Sequence, residues 1–505
     1  MKAPSLAALA LTLSSAFTAC FADGHFEMTL KPLRSAEGEV TGIEVSQRLV
    51  DPTVAEAAPF SLTAPITYAA VTGVADRIKS LDVRDPDGRI ELRTEDEPAS
   101  AGGFPYYRHW RAQRPVQSPI EIKYTALVQP PNAPNGPAFG IRPAAGGVSG
   151  SGGGFLLLPE TVNTNVSSVR WDLTQLAAGS IGVTSFGEGD FTLTGKPEEL
   201  NAGWIMAGPL NRYSSPGAGN RFGAFWLGEP PFDAEKKMAW VASAYQYLGQ
   251  SFGYLQPLPQ YRVFMRVLDT PPFGGGTALT RSFMLSMGKG AQRGSIEDTR
   301  ETFFHEMSHQ WVGGIAGEPG KVAWFDEGLN VYYTLLLPLR GGLVSVDDYA
   351  MRLNKEARNY YESPARNWSA ARIAEVGFGN EQIRHTPYVR GALYFSDLDW
   401  RIRRKSHNRR NLDDFLHPMF VSRQKGARFD QTAWEQMLAR ELGDQAVRDF
   451  RAQLIDANQI VVVASQAFGP CFAREPVTMQ SDGQDVQGYQ WKRVDGLPES
   501  RCRKW

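Results

Sequence analysis

The sequence is poor in the features that would classify it fastest. Only three of its 505 residues are cysteine, which excludes a disulfide-dense scaffold. Lys and Arg number 53 against 54 Asp and Glu, a formal net charge of -1, so no global attraction for nucleic acid or an anionic membrane exists. No apolar run reaches the about eighteen residues of a membrane span, and no repeat recurs at a period of about 20 to 50 residues. A serine hydrolase is the competing enzyme class, but the string Gly249-Gln250-Ser251-Phe252-Gly253 ends the helical run that begins near Asp233 and is not the strand-to-helix elbow of that class. The Gly-rich stretch Gly146 to Gly154 lacks the Lys-Ser/Thr of a phosphate cradle and leads into the strand-like Phe155 to Leu158, so it reads as a flexible loop. The densest basic run, Arg401 to Arg410, has no aromatic interleaving and no second basic stretch, and reads as cations at a helix end.

With 42% hydrophobic and 21% charged residues the chain is ordinary globular material, long enough for about three domains. Met1-Lys2, the apolar run from Leu6 to Phe17 and the small residues that follow read as a secretory signal peptide over 1–22, cleaved before Asp23. The protein is therefore expected to be exported, periplasmic or secreted. A lipid anchor at Cys20 is the alternative, disfavoured because Phe17 is a poor first residue for a lipobox. Cleavage leaves Cys471 and Cys502, whose simplest use in an oxidising compartment is one disulfide closing the C-terminal tail.

Period-two runs with Gly and Pro punctuation, such as Thr41 to Ser46, Ile120 to Tyr124 and Val169 to Leu173, predict an antiparallel β-sandwich-like domain over 23–216. Helical texture begins at Asp233, where Met238, Val241, Ala242, Tyr245 and Leu248 recur at three-four spacing. Strands are expected at Tyr261 to Leu268 and Ser282 to Met287, and helices from Ile296 to about Leu454, so 217–454 forms the second domain. The tail 455–505 has a β-prone run at Ile460 to Val463.

Chemistry concentrates at His305-Glu306-Met307-Ser308-His309. On a helix, two His four residues apart project from one face and can reach one small cation, and the intervening Glu306 can act as general base on a water. Phe303, Phe304, Met307 and Trp311 bury such a helix, and buried imidazoles need partners. A catalytic zinc takes three protein ligands and one open position. After His309, with seventeen residues intervening, comes Glu327, at the start of a second helical run. Asp326 is the competing ligand, or the cap of that helix.

His305-Glu306-x-x-His309-Gln310-Trp311 followed by Trp324-x-x-Glu327-Gly328-x-x-x-Tyr332 resembles the gluzincin metallopeptidases, in particular the glycyl and the alanyl (membrane-type) aminopeptidase families. The resemblance implies a thermolysin-like mixed α/β zinc peptidase domain, mostly helical in its second half, and an α+β fold class for the whole chain. It implies one Zn2+ per chain held by His305, His309 and Glu327, with Glu306 as general base. Tyr388-Val389-Arg390-Gly391 resembles the families' Y-x-K/R-G helix start, which implies an oxyanion-stabilising role for Tyr388. The cleft strand departs from the pattern. Gly275, Gly276, Thr277 and Ala278 stand where these enzymes bind the substrate backbone, and Ala278 replaces the Glu that takes the free amine. The expected function is a zinc metallopeptidase acting on peptides or proteins, aminopeptidase-like; an endopeptidase or a zinc-retaining peptide-binding relative are the alternatives. No nucleic-acid partner is expected. His25, His109, His407 and His417 have no ligand-like spacing; His385, three residues before Tyr388, reads as structural or solvated, with a place near the cleft donating to substrate as the alternative.

Overall fold

The computed structural model describes residues 24–504 except 52, 55, 57–58, 132–136, 217–220, 272, 274 and 291–298. The expected signal peptide, the Cys20 alternative and Gly274 lie outside the described residues.

Alternation builds the N-terminal region. In Gly24–Arg34, Phe26, Met28 and Leu30 are buried while the residues between them face outward, the two-residue period of a half-buried strand. This strand belongs to a seven-stranded sheet in the order Phe191–Thr194, Thr164–Trp171, Gly24–Arg34, Val40–Val50, Ile120–Leu127, Ile78–Asp85 and Gly88–Arg89. The pairing is antiparallel except between Gly24–Arg34 and Thr164–Trp171, which run parallel. A second sheet, built on Ser61–Tyr68 and Tyr106–Ala112, packs Leu62 and Trp110 against Phe26, Val45 and Ile122 of the first. The result is a sandwich with one shared core.

The Gly146–Gly154 stretch is not the flexible loop its composition suggests. Gly147–Ser151 is a fully buried strand of a third sheet, and Gly152–Gly154 a buried turn. Close backbone approach explains the glycines: a Cβ on Gly152 would lie 2.0 Å from the Leu200 carbonyl, and one on Gly154 2.1 Å from that of Phe139. This sheet joins the two halves, because Trp204 and Met206 share a core with Phe225, Phe264 and Met284.

The second half is built on its own sheet, whose first strand precedes residue 217. Its five-stranded sheet runs Asn211–Ser214, Phe222–Leu227, Tyr261–Leu268, Ser282–Gly288 and Gly276–Leu279, the last an antiparallel edge. Helix α1, Ala234–Phe252, is the crossover between the parallel strands Phe222–Leu227 and Tyr261–Leu268. The Asp233 side chain caps its first turn by accepting from the Lys236 N–H, and Gly253 ends it in the left-handed conformation. Helices α2 (Thr299–Val312), α3 (Ala323–Asp326), α4 (Gly328–Arg340), α5 (Val346–Tyr361), α6 (Ala370–Val376), α7 (Glu381–Arg384) and α8 (Thr386–Lys405) follow.

The tail joins this core. Ile460–Val463 forms no strand; Val461 and Val463 are instead buried among the helices. The strands of the tail are Phe472–Ser481 and Gln484–Arg493, a hairpin whose turn places Asp482 and Gly483 at φ 50° and 73°. Asp-Gly at a two-residue turn is the signal that marks it in sequence. Cys471 and Cys502 form a disulfide of S–S 2.06 Å across 31 residues, a closure worth about 2–4 kcal/mol. Among the described residues no helix is long and apolar enough to cross a membrane.

Candidate active site

Helix α2 lies beneath the edge strand Gly276–Leu279 with Phe303, Phe304, Met307 and Trp311 in the core. That burial turns His305 and His309 into the cleft, with side chains 16% and 20% exposed. The chain then breaks at Glu327, between α3 and α4, with φ -100° and ψ -42°. Glu327 Oε2 lies 3.2 Å from His305 Nε2 and 3.4 Å from His309 Nε2, and the two Nε2 atoms are 3.2 Å apart. Among the described residues these three are the one group of His, Cys, Asp and Glu side chains whose donor atoms converge in this way.

The triangle fits a tetrahedral metal. Ligand bonds of about 2.0–2.1 Å at tetrahedral angles separate the donors by about 3.3–3.4 Å. Two imidazole nitrogens facing each other at 3.2 Å can share only one proton, so a cation suits them better than a hydrogen bond does. Burial opposes the charge on both His309 and Glu327. Their mutual attraction prevails, raising His309 to about 9 and holding Glu327 well below the carboxylate range. Asp326, the competing ligand, stays outside the triangle and accepts from the Ile315 N–H at 3.1 Å.

Two contacts invisible in the motif fix this arrangement. Asn330, fully buried on α4, donates through Nδ2 to the His305 carbonyl at 2.9 Å and accepts from the Ser308 hydroxyl, which ties α4 to α2. A polar residue inside the apolar run after Glu327 is the sequence signal that marks it. The second contact explains both motif glycines. A Cβ on Gly328 would meet Gly391 Cα at 2.7 Å, and one on Gly391 would meet the Trp324 carbonyl at 2.5 Å. Helices α4 and α8 therefore touch through bare backbone, which sets Tyr388 beside the triangle. The Tyr388 ring stacks on His305 with centroids 6.4 Å apart and planes 12° apart. Its hydroxyl accepts from Arg384 Nη1 at 2.8 Å.

Glu306 is 8% exposed, and burial raises its pKa against the pull of the two histidines. The Ala278 backbone N–H donates to its carboxylate. Gly276 stands directly against it, since a Cβ there would fall 2.5 Å from Glu306 Cγ. Gly275, Gly276, Thr277 and Ala278 all line one cleft with His305, Glu306, His309, Glu327 and Tyr388. The candidate metal, catalytic and cleft-strand residues thus meet in one place, with Asp326 and His385 also on its lining, whereas His25, His109, His407 and His417 lie outside it.

A buried His-Glu-x-x-His helix, a glutamate from the next helix and a cleft edged by a β-strand define the gluzincin class of metallopeptidase. The M61 glycyl aminopeptidase family matches residues 317–390. No curated protein matches the chain. Among solved structures, an aminopeptidase N family protein from Idiomarina loihiensis is similar with a TM-score of 0.68 at 13% identity, covering 89% of this chain and 79% of its own. An M1 zinc metallopeptidase from Deinococcus radiodurans gives 0.52 at 17% identity, covering 88% and 97%. Yeast LTA4 hydrolase in complex with bestatin gives 0.52 at 13%, covering 86% and 68%. This chain is similar to the glycyl aminopeptidases over residues 317–390 and to the M1 aminopeptidases in fold.

Proposed function

We propose that this protein is an exported, zinc-dependent aminopeptidase-like enzyme in which His305, His309 and Glu327 hold the metal and Glu306 and Tyr388 carry the chemistry. The observation that carries this reading is the 3.2–3.4 Å donor triangle with Glu306 buried at its side. Zinc, when bound, supplies a Lewis acid and lowers the pKa of water to about 7. Glu306 takes the proton of the attacking water and returns it to the leaving amine, a cycle suited to a carboxylate whose pKa burial has raised. The Tyr388 hydroxyl donates to the oxyanion of the tetrahedral intermediate. The edge strand Gly276–Leu279 offers backbone groups to an extended peptide, and Gly276 leaves Glu306 room to face it. The cleft volume of about 1530 Å³ exceeds the about 300–1,000 Å³ of a small-molecule pocket and suits a polymer segment.

Ala278 favours a second reading, an endopeptidase, because it offers no anion to a substrate ammonium. Other carboxylates line the cleft outside the triangle and Glu306. Glu381 is bound by Arg384, Glu301 faces Arg352 at 3.8 Å, and Asp326 accepts from Ile315. Glu356 has no ion pair among the described residues, and burial followed by its neighbour Glu301 raises it to about 7. It is the group on which a free amine would most readily act. The test combines metal analysis with matched free and N-blocked peptides, using Glu306→Gln as control. That variant is expected to keep zinc and lose turnover by about three orders of magnitude or more. Unchanged turnover would overturn the assignment. Dependence on a free amine supports the aminopeptidase reading, and cleavage of blocked peptides the endopeptidase reading.

A further inference from the structure

A tyrosine hydroxyl has one proton to give and two lone pairs. At Tyr388 one lone pair is taken, because Arg384 Nη1 donates to it at 2.8 Å, so the hydroxyl proton must point elsewhere. Arg384 is itself held from several sides. The Glu381 carboxylate accepts from Nε at 3.0 Å and from Nη2 at 2.6 Å, a fork-on-fork pair that fixes the guanidinium plane. The guanidinium lies 5.1 Å over the Phe378 ring and 5.5 Å from the Tyr388 ring. Phe378 is backed by Phe104 of the N-terminal region at 5.6 Å. Beside it, Gly102 and Gly377 meet so closely that a Cβ on Gly377 would lie 2.2 Å from the Gly102 carbonyl. Phe378, Glu381, Arg384 and Tyr388 all face the cleft.

An exposed Glu-Arg pair three residues apart contributes little to stability. That role alone would not aim the guanidinium at a half-buried phenol one helical turn away, stacked on a histidine of the donor triangle. From this geometry we propose that Arg384, clamped by Glu381, is a positioning residue for Tyr388. It occupies the hydroxyl's outward lone pair, turns the hydroxyl proton toward the reacting carbonyl, and sets a fixed positive charge one hydrogen bond behind the oxyanion. A phenol that accepts from a cation is a stronger donor, and inside a cleft that added strength is realised when the oxyanion forms. The proposal rests on the oxyanion role of Tyr388 given above.

A double-mutant cycle on the full-length, zinc-loaded enzyme tests it, using the peptide cleaved fastest in the free and blocked panel. Arg384→Ala is expected to lower kcat about 10- to 100-fold with KM and zinc content held. In a Tyr388→Phe background the same change should cost less than about twofold, because its target is gone. Glu381→Gln should give a smaller loss of kcat, and Arg384→Lys should restore part of what Arg384→Ala removes. If Arg384→Ala fails to fold by circular dichroism, Arg384→Lys carries the same cycle. An equal loss in both backgrounds, or an effect on KM alone, overturns the role of Arg384 and leaves Tyr388 standing. A Tyr388→Phe enzyme with full kcat overturns both.

Discussion

Among the described residues, two clusters in which histidine meets more than one partner, one in the β-sandwich and one in the helical half, are made of the same residue types with opposite geometry. In the sandwich, His109 lies between two glutamates, with Nδ1 3.1 Å from Glu160 and Nε2 3.1 Å from Glu97. Its two ring nitrogens point away from each other, so each carboxylate has its own N–H and the imidazolium is the form that satisfies both. In the helical half, two imidazole nitrogens and a carboxylate oxygen converge within 3.4 Å, which no assignment of protons satisfies as well as one shared cation does. Divergent nitrogens suit an ion pair and convergent ones a shared cation. The difference comes from the elements: on a strand a single His reaches across to its neighbours, while on a helix four-residue spacing stacks two His on one face.

The largest expected effect sets the two clusters against each other. His309→Ala should lose zinc and lower turnover by about three orders of magnitude or more, while His109→Ala keeps both. Metal analysis with a peptidase assay checks this, and zinc lost from the His109 variant would break the comparison. A smaller effect concerns how convergence is maintained. Gly391→Ala should push α8 from α4, cost about 1–3 kcal/mol in denaturant melts and weaken zinc retention, since backbone atoms cannot yield to the new methyl. Normal stability and zinc in that variant would show that the glycine contact does not set the triangle.

The smallest effect is the pH dependence of the sandwich cluster. Burial opposes the charge on His109, but Glu160 and Glu97 outweigh it and raise its pKa above the ordinary value. A raised folded pKa means that this stabilisation is fully present below about 6.5 and lost as pH rises through the folded value. His109→Gln should therefore destabilise the protein by about 0.5–1 kcal/mol at pH 6 and progressively less at alkaline pH. A loss that grows with pH would show that His109 acts as a neutral imidazole.

The site was legible to an unusual degree because its chemistry is local. His305, Glu306 and His309 lie within about one helical turn, so periodicity and spacing group them, while the choice of Glu327 over Asp326 follows from the resemblance to the gluzincin families. What spacing could not supply was partnership between distant segments. Nothing in the sequence ties Asn330 to the His305 carbonyl, or Arg384 to the Tyr388 hydroxyl rather than to solvent. The Gly146–Gly154 stretch reads as a loop for the same reason, since glycine required by a neighbouring backbone looks identical in sequence to glycine used for flexibility.

The amino-acid sequence by itself determined the pair of histidines on one helical face with a glutamate between them, and the division into a β-rich and a helical half. These depend on residue types at short spacing and on hydrophobic period, both written along one chain. Tertiary structure alone decided which of Asp326 and Glu327 reaches the histidines, how close α4 and α8 come, and that the tail belongs to the catalytic core. Each of those is set by steric contact between segments far apart in the chain, where a single Cβ decides the distance.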